Sequence, residues 1–206
     1  MQNIFTRSWS RITLALAAPG LADKGEALQA RYAEKWRKYH TLQHLDECLN
    51  WFEKSQHLVA QPVVVETALW FHDVIYLPRQ SDNENQSAEL ATKLLSADGV
   101  ADDVCQQVAN LVMVTRHDGV PATPDEQLLV DIDLSILGAA PQRFSEYEAQ
   151  VREEYAFVPG PLFRYKRRQI LEAFQSRPRL YSTDFFYARL EQQARHNLEQ
   201  AIAACG

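Results

Sequence analysis

Residues 68–76, Ala68-Leu69-Trp70-Phe71-His72-Asp73-Val74-Ile75-Tyr76, set an adjacent imidazole and carboxylate in a run that is otherwise apolar on every side. A segment apolar all round belongs in a core. An ionised Asp cannot be buried there at tolerable cost unless a cation or several donors meet it, so Asp73 demands a partner. A metal ion is the most economical partner. A cap on a neighbouring helix or a hydrogen bond to His72 would also serve.

Outward from this run, apolar residues recur at helical spacing through most of the chain, and strict apolar-polar alternation is almost absent. The pattern predicts an all-α protein with helices over 8–18, 22–36, 41–53, 63–76, 83–97, 102–116, 124–137, 143–155, 160–175 and 183–203. Breakers such as Pro19-Gly20, Pro62, Pro78, Asp98-Gly99, Gly138 with Pro141, and Pro159-Gly160-Pro161 fall at or near the ends of these segments. With no repeat, long linker or composition shift, a single helical domain over 1–206 is expected.

Composition narrows the function classes. Hydrophobic residues at 46% and charged residues at 23% are ordinary for a globular chain, which sets aside disordered and multi-pass membrane readings. The net charge of −6 has the wrong sign for an extended nucleic-acid face or an anionic lipid surface. Cys48, Cys105 and Cys205 lie far apart without a C-x-x-C pair, as expected of reduced thiols in a cytoplasmic protein, and imply neither a disulfide framework nor a thiolate zinc site. Arg7 and Arg11 before the apolar run 12–18 mimic a leader only weakly, and an amphipathic first helix is the expected reading.

Two further segments complement the first. His40 and His44, four apart in Tyr39-His40-Thr41-Leu42-Gln43-His44, would share one helix face that runs on through Cys48, beside the apolar stripe of Leu42, Leu45, Leu49 and Phe52. Alone, the pair reads sooner as two surface or hydrogen-bonded histidines than as ligands. In residues 128–138 two acids interrupt a strongly apolar helix, and a regular helical wheel puts Asp133 on the face of Leu129, Val130, Ile136 and Leu137. Asp133 is therefore expected to be the more buried acid and a metal ligand, and Asp131 an acceptor that orients the site.

The order His44, then His72-Asp73, then Asp133 resembles the H…HD…D signature of the HD-domain metal-dependent phosphohydrolases. The likeness extends to Asn83-Glu84 with Ser87-Ala88, Thr115-x-His117, Asp131-x-Asp133-Leu134 with Leu137-Gly138, Glu154-Tyr155 and Ala194-Arg195-x-Asn197, from about Tyr32 to about Asn197. Together these look like a largely uncharacterised subgroup of that family, from which the chain departs at Lys166, where Gly is expected before Arg167. The resemblance implies an HD-type helical bundle, a divalent metal and hydrolysis of a phosphate ester or anhydride. A more distant likeness to the helical cyclic-nucleotide phosphodiesterases, which carry a similar Asp-Leu-Ser at Asp133-Leu134-Ser135, implies His40 as proton donor and His44, His72, Asp73 and Asp133 as ligands.

A shell of two imidazoles and two carboxylates suits Mn, Fe, Co, Ni, Zn or Mg. Such an ion activates water, and the expected substrate is a small phosphorylated compound, with a nucleotide as the leading candidate. His117 is expected either to contact phosphate or a second metal, or to favour a helix C-terminus as a cation. Glu84 is expected as a substrate contact or, with Asp82 and Asn83, as part of a helix cap. Arg167, within the basic run Arg164, Lys166, Arg167 and Arg168, is expected to hold a phosphate or lie on a solvated face. A catalytically silent metal- or nucleotide-binding regulatory module is the alternative function, and a homodimer is the base-rate expectation for assembly.

Overall fold

The computed structural model describes residues 3–205, and among them the ordered elements are helical with no strand. The chain divides at Ile132 and Asp133 into two compact units. The first holds α1 (Ile4–Ala15), α2 (Lys24–Tyr32), α3 (Leu42–Ser55), α4 (Pro62–Phe71), α5 (Asn83–Ala97), α6 (Asp102–Val114) and α7 (Pro124–Asp133), whose last residue falls at the division. The second holds a 3-10 segment (Leu134–Gly138), α8 (Pro141–Glu154), α9 (Gly160–Gln175) and α10 (Asp184–Ala204).

In the first unit α4 is the central helix and packs against α1, α3, α5 and α6. Its sequence requires this, because Val64 through Phe71 are all buried and no face is left for water. Pro62 opens the helix at a position where its missing N–H costs nothing. The one acid in the helix, Glu66, is fully paired. Ser8 Oγ donates to it at 2.6 Å and Arg11 Nε at 2.9 Å, while Trp70 Nε1 donates to Ser8 Oγ at 2.8 Å. This network ties α1 to α4 through polar groups that would otherwise be costly to bury.

In the second unit α10 packs against the 3-10 segment, α8 and α9. Asn197 Nδ2 donates to the carbonyls of Leu137 and Ala139, both at 2.8 Å, and Arg195 donates to those of Gln175 and Arg177, both at 2.6 Å. The late Ala194-Arg195-x-Asn197 motif is therefore a backbone clamp. Gly138 permits the close approach: a Cβ there would stand 2.6 Å from Leu190 Cβ.

Several helices are shorter than their apolar period. α2 ends at Tyr32 rather than 36, and the chain then turns through 33–41. α4 ends at Phe71 rather than 76, because the main chain of 73–77 finds side-chain partners in place of helical ones. α7 gives way to the 3-10 segment after Asp133. Among the described residues no helix is long and apolar enough to cross a membrane.

Candidate metal centre

The centre is built from two elements of the first unit. Thr41 caps α3 by accepting from the Gln43 N–H at 3.3 Å, which puts His44 in the first turn, buried, with Cys48 one turn on. At the other element, His72 follows the last residue of α4 and its N–H still reaches the Ala68 carbonyl at 2.8 Å. Asp73 follows where the helix has ended, with a side chain 17% exposed. The buried imidazoles thus face a carboxylate at the edge of solvent.

Three donor atoms converge. His44 Nε2 stands 3.0 Å from His72 Nε2, and Asp73 Oδ2 lies 3.4 Å from the first and 3.1 Å from the second. Donors about 2.0–2.1 Å from one ion stand about 2.9 Å apart at right angles and about 3.3 Å apart at tetrahedral angles, so this triangle has the size of a shared coordination sphere. The ring orientation agrees. His72 Nδ1 is 2.7 Å from the Leu69 carbonyl, which can only accept, so Nδ1 carries a proton and Nε2 is the nitrogen turned to the cluster, the one that would ligate an ion. One proton can relieve one pair of these electron-rich atoms, whereas a divalent ion meets all three.

Electrostatics favour the ionised form of Asp73. Burial raises the Asp73 pKa, but the charges of His72 and His40 and the hydrogen bonds of His44 and His72 outweigh it, holding the carboxyl well below its ordinary range. Tyr32 is buried behind the site, with its hydroxyl donating to the Trp70 carbonyl at 3.1 Å. Burial first, and then the Asp73 charge, push its pKa up.

His40 does not share a helix with His44. It lies in the turn before the Thr41 cap, partly exposed, and its ring stacks on Tyr76 with centroids 3.9 Å apart. The expected common helix face is thus replaced by a turn, because Thr41 starts the helix after His40. His40 is still within the electrostatic reach of Asp73.

Sequence reasoning missed Arg37 and the partners of the main chain after Asp73. The Arg37 guanidinium, with no exposed surface, donates to the carbonyls of His40 at 3.1 Å, Asp73 at 2.6 Å and Val74 at 3.0 Å. Its ring neighbours are Tyr32 and Tyr76, with centroids at 5.2 and 5.7 Å. Ser87 Oγ accepts from the Ile75 N–H at 3.1 Å, Trp36 Nε1 donates to the Tyr76 carbonyl at 3.0 Å, and Asn83 accepts from Leu77 N–H at 3.0 Å. Five consecutive residues following His72 are therefore held by side chains of other segments. The available signal was the placement of Asn83 and Ser87 four apart on one face of α5.

The remaining site expectations fall as follows. Glu84 is partly exposed in the first turn of α5, but Asp82 makes no side-chain cap and Asn83 is turned to Leu77, so the expected capping bonds are absent there. His117 lies two residues beyond the Thr115 cap of α6 with φ of 56°, in the left-handed region, and its N–H reaches the Val114 carbonyl at 3.2 Å. Arg164, Lys166 and Arg168 are exposed, whereas Arg167 is buried, ion-paired to Glu148 and set over the Tyr147 ring at 5.0 Å. Burial opposes its charge, yet Tyr147 and Glu148 more than offset this and raise its pKa. Its charge is met within its own unit, so the basic run is a solvated face only in part.

The burial order of the two acids in α7 is the reverse of that expected. Asp131 is fully buried, and Asp133 is the one residue of 128–138 that is only partly buried. The wheel assumed one regular helix with one inward face, but the helix ends at Asp133 and the segment is buried on every other side. Within the second unit the Asp133 charge lies near Tyr147 and contributes to raising that phenol's pKa, after burial and Glu148.

Cys48, set aside as an ordinary thiol, joins the cluster. Ligand atoms of His44, Cys48 and His72 all lie within 4.8 Å of one another, and all three residues are buried. No family model, no curated protein and no solved structure matches the chain.

Proposed function

We propose that the protein is a metal-dependent phosphohydrolase acting on a small phosphorylated compound, with a nucleotide as the leading candidate. The observation that carries this reading is the convergence of His44 Nε2, His72 Nε2 and Asp73 Oδ2, a triangle with edges of 3.0, 3.1 and 3.4 Å. A divalent ion held there would lower the pKa of a water and polarise a phosphoryl oxygen. Asp73 supplies the anionic edge open to solvent, and Leu69 fixes His72 with Nε2 turned to the cluster. His40, at the partly exposed rim against Tyr76, is placed in reach of the same carboxylate and takes the role of proton donor to the leaving oxygen. The resemblance to HD-domain proteins supports the same roles for His40, His44, His72 and Asp73.

The test is metal analysis of protein purified without chelator, with phosphate release measured over a nucleotide and phosphate-ester panel in Mn, Co, Ni, Zn and Mg. One or two equivalents of metal, and turnover lost in both His72→Ala and Asp73→Ala, are expected. Bound metal with background release across the panel would favour the alternative, a silent metal- or nucleotide-binding regulatory module.

A further inference from the structure

We infer that Cys48 is itself a metal ligand, so that the site is a mixed nitrogen, oxygen and sulfur centre built for a thiophilic ion such as Zn or Co(II) rather than Mg. This rests on the metal-site reading above and goes beyond the imidazole and carboxylate set that the H…HD…D resemblance implies. The sulfur stands 3.8 Å from both ring nitrogens of His44, and the ligand atoms of His44, Cys48 and His72 fit within 4.8 Å of one another. A sulfur about 2.3 Å and a nitrogen about 2.05 Å from one ion stand about 3.6 Å apart at a tetrahedral angle, so the separation is of the right size, and a turn of the His44 ring and the Cys48 side chain brings the sulfur from beside the ring to the Nε2 lone pair.

Charge supplies an independent reason. Two neutral imidazoles and one carboxylate leave a divalent ion with one net positive charge, beside His44 and His72 at 2% and 1% exposure. An uncompensated charge in such a place is costly, and a Cys48 thiolate brings the sum to zero. Asp73 is the partly exposed member, with a side chain 17% exposed, whereas Cys48 is buried at 1% exposure. Cys105 shows the contrast. It is buried too, but its sulfur makes ordinary 3.6 Å contacts with Ser96 Oγ and the Val100 carbonyl.

A soft thiolate beside imidazoles selects among metals by ligand chemistry. Removing it should therefore lower affinity for Zn and Co(II) by about tenfold or more while leaving Mg affinity within about twofold.

The experiment loads the full-length, chelator-stripped protein with Co(II) and records its near-ultraviolet spectrum. Expected is a sulfur-to-Co(II) charge-transfer band in the native protein and in Cys205→Ser, absent from Cys48→Ser and Cys48→Ala, which still bind Co(II) through imidazole and carboxylate. X-ray absorption of the Zn-loaded native protein should show a sulfur shell at about 2.3 Å and needs no variant to fold. Co(II) and Zn bound with only nitrogen and oxygen neighbours would overturn Cys48 ligation and leave the metal centre standing. Failure of the native protein to bind either ion would overturn the centre as well.

Discussion

Arg37 donates to the main-chain carbonyl of Asp73 at 2.6 Å, and the same guanidinium nitrogen also reaches the carbonyl of His40 at 3.1 Å. One buried cation thereby fastens together the two segments that carry the candidate chemistry, without touching a side chain of the metal cluster. A planar fork with several fixed donors suits three carbonyls in different directions, and an ammonium does not reproduce it.

Arg37→Met should cost about 3 kcal/mol in urea denaturation, since one buried and two partly buried carbonyls lose a charged donor. Arg37→Lys should recover part of that stability, yet both variants should bind Zn about 10- to 100-fold more weakly in metal titrations, because the ligand-bearing segments lose their common anchor. Unchanged metal affinity in a destabilised Arg37→Lys protein would remove the positioning role.

His40 stands outside the converging donor triangle, stacked on Tyr76. Replacement by Ala should leave metal content intact and lower the rate of phosphate release by about 10²- to 10⁴-fold. Loss of metal together with activity would make it a ligand instead. Metal analysis and a steady-state assay on one preparation separate the two outcomes.

Asn83 accepts from the Leu77 N–H at 3.0 Å and donates to the Leu77 carbonyl at 3.2 Å. Asn83→Ala leaves both main-chain groups to compete for water and should cost about 1–3 kcal/mol. Hydrogen exchange should rise at Ile75 and Leu77 while the amides of α4 keep their protection.

Tyr32 gives the chain a defined alkaline response. Its folded pKa is raised, by burial first and by the Asp73 charge second, so the phenol stays neutral in the folded state above pH values where it ionises unfolded. The stability this contributes is fully present below the unfolded pKa of about 10 and declines as pH rises beyond it. Urea midpoints should therefore fall between about pH 10 and 11.5, and less steeply in Tyr32→Phe. Equal slopes in the two proteins would contradict the assignment.

Residue types and their spacing were enough to establish the helical class. Strict alternation is almost absent, α4 is apolar except at Glu66 and Thr67, and these features are local. The same reasoning singled out His44, His72 and Asp73, because an acid inside an apolar run must have a partner wherever the chain folds. What lay beyond it depends on contacts between distant segments. Arg37 reads as one more surface cation until its carbonyl partners are seen, and Cys48 as core filling until it meets His72 from another helix. The end of α4 at Phe71, the turn that separates His40 from His44, and the inverted burial of Asp131 and Asp133 share that origin. Periodicity reports which faces are apolar, but where a helix stops depends on whether a side chain far along the sequence offers its backbone a better partner than the next turn would.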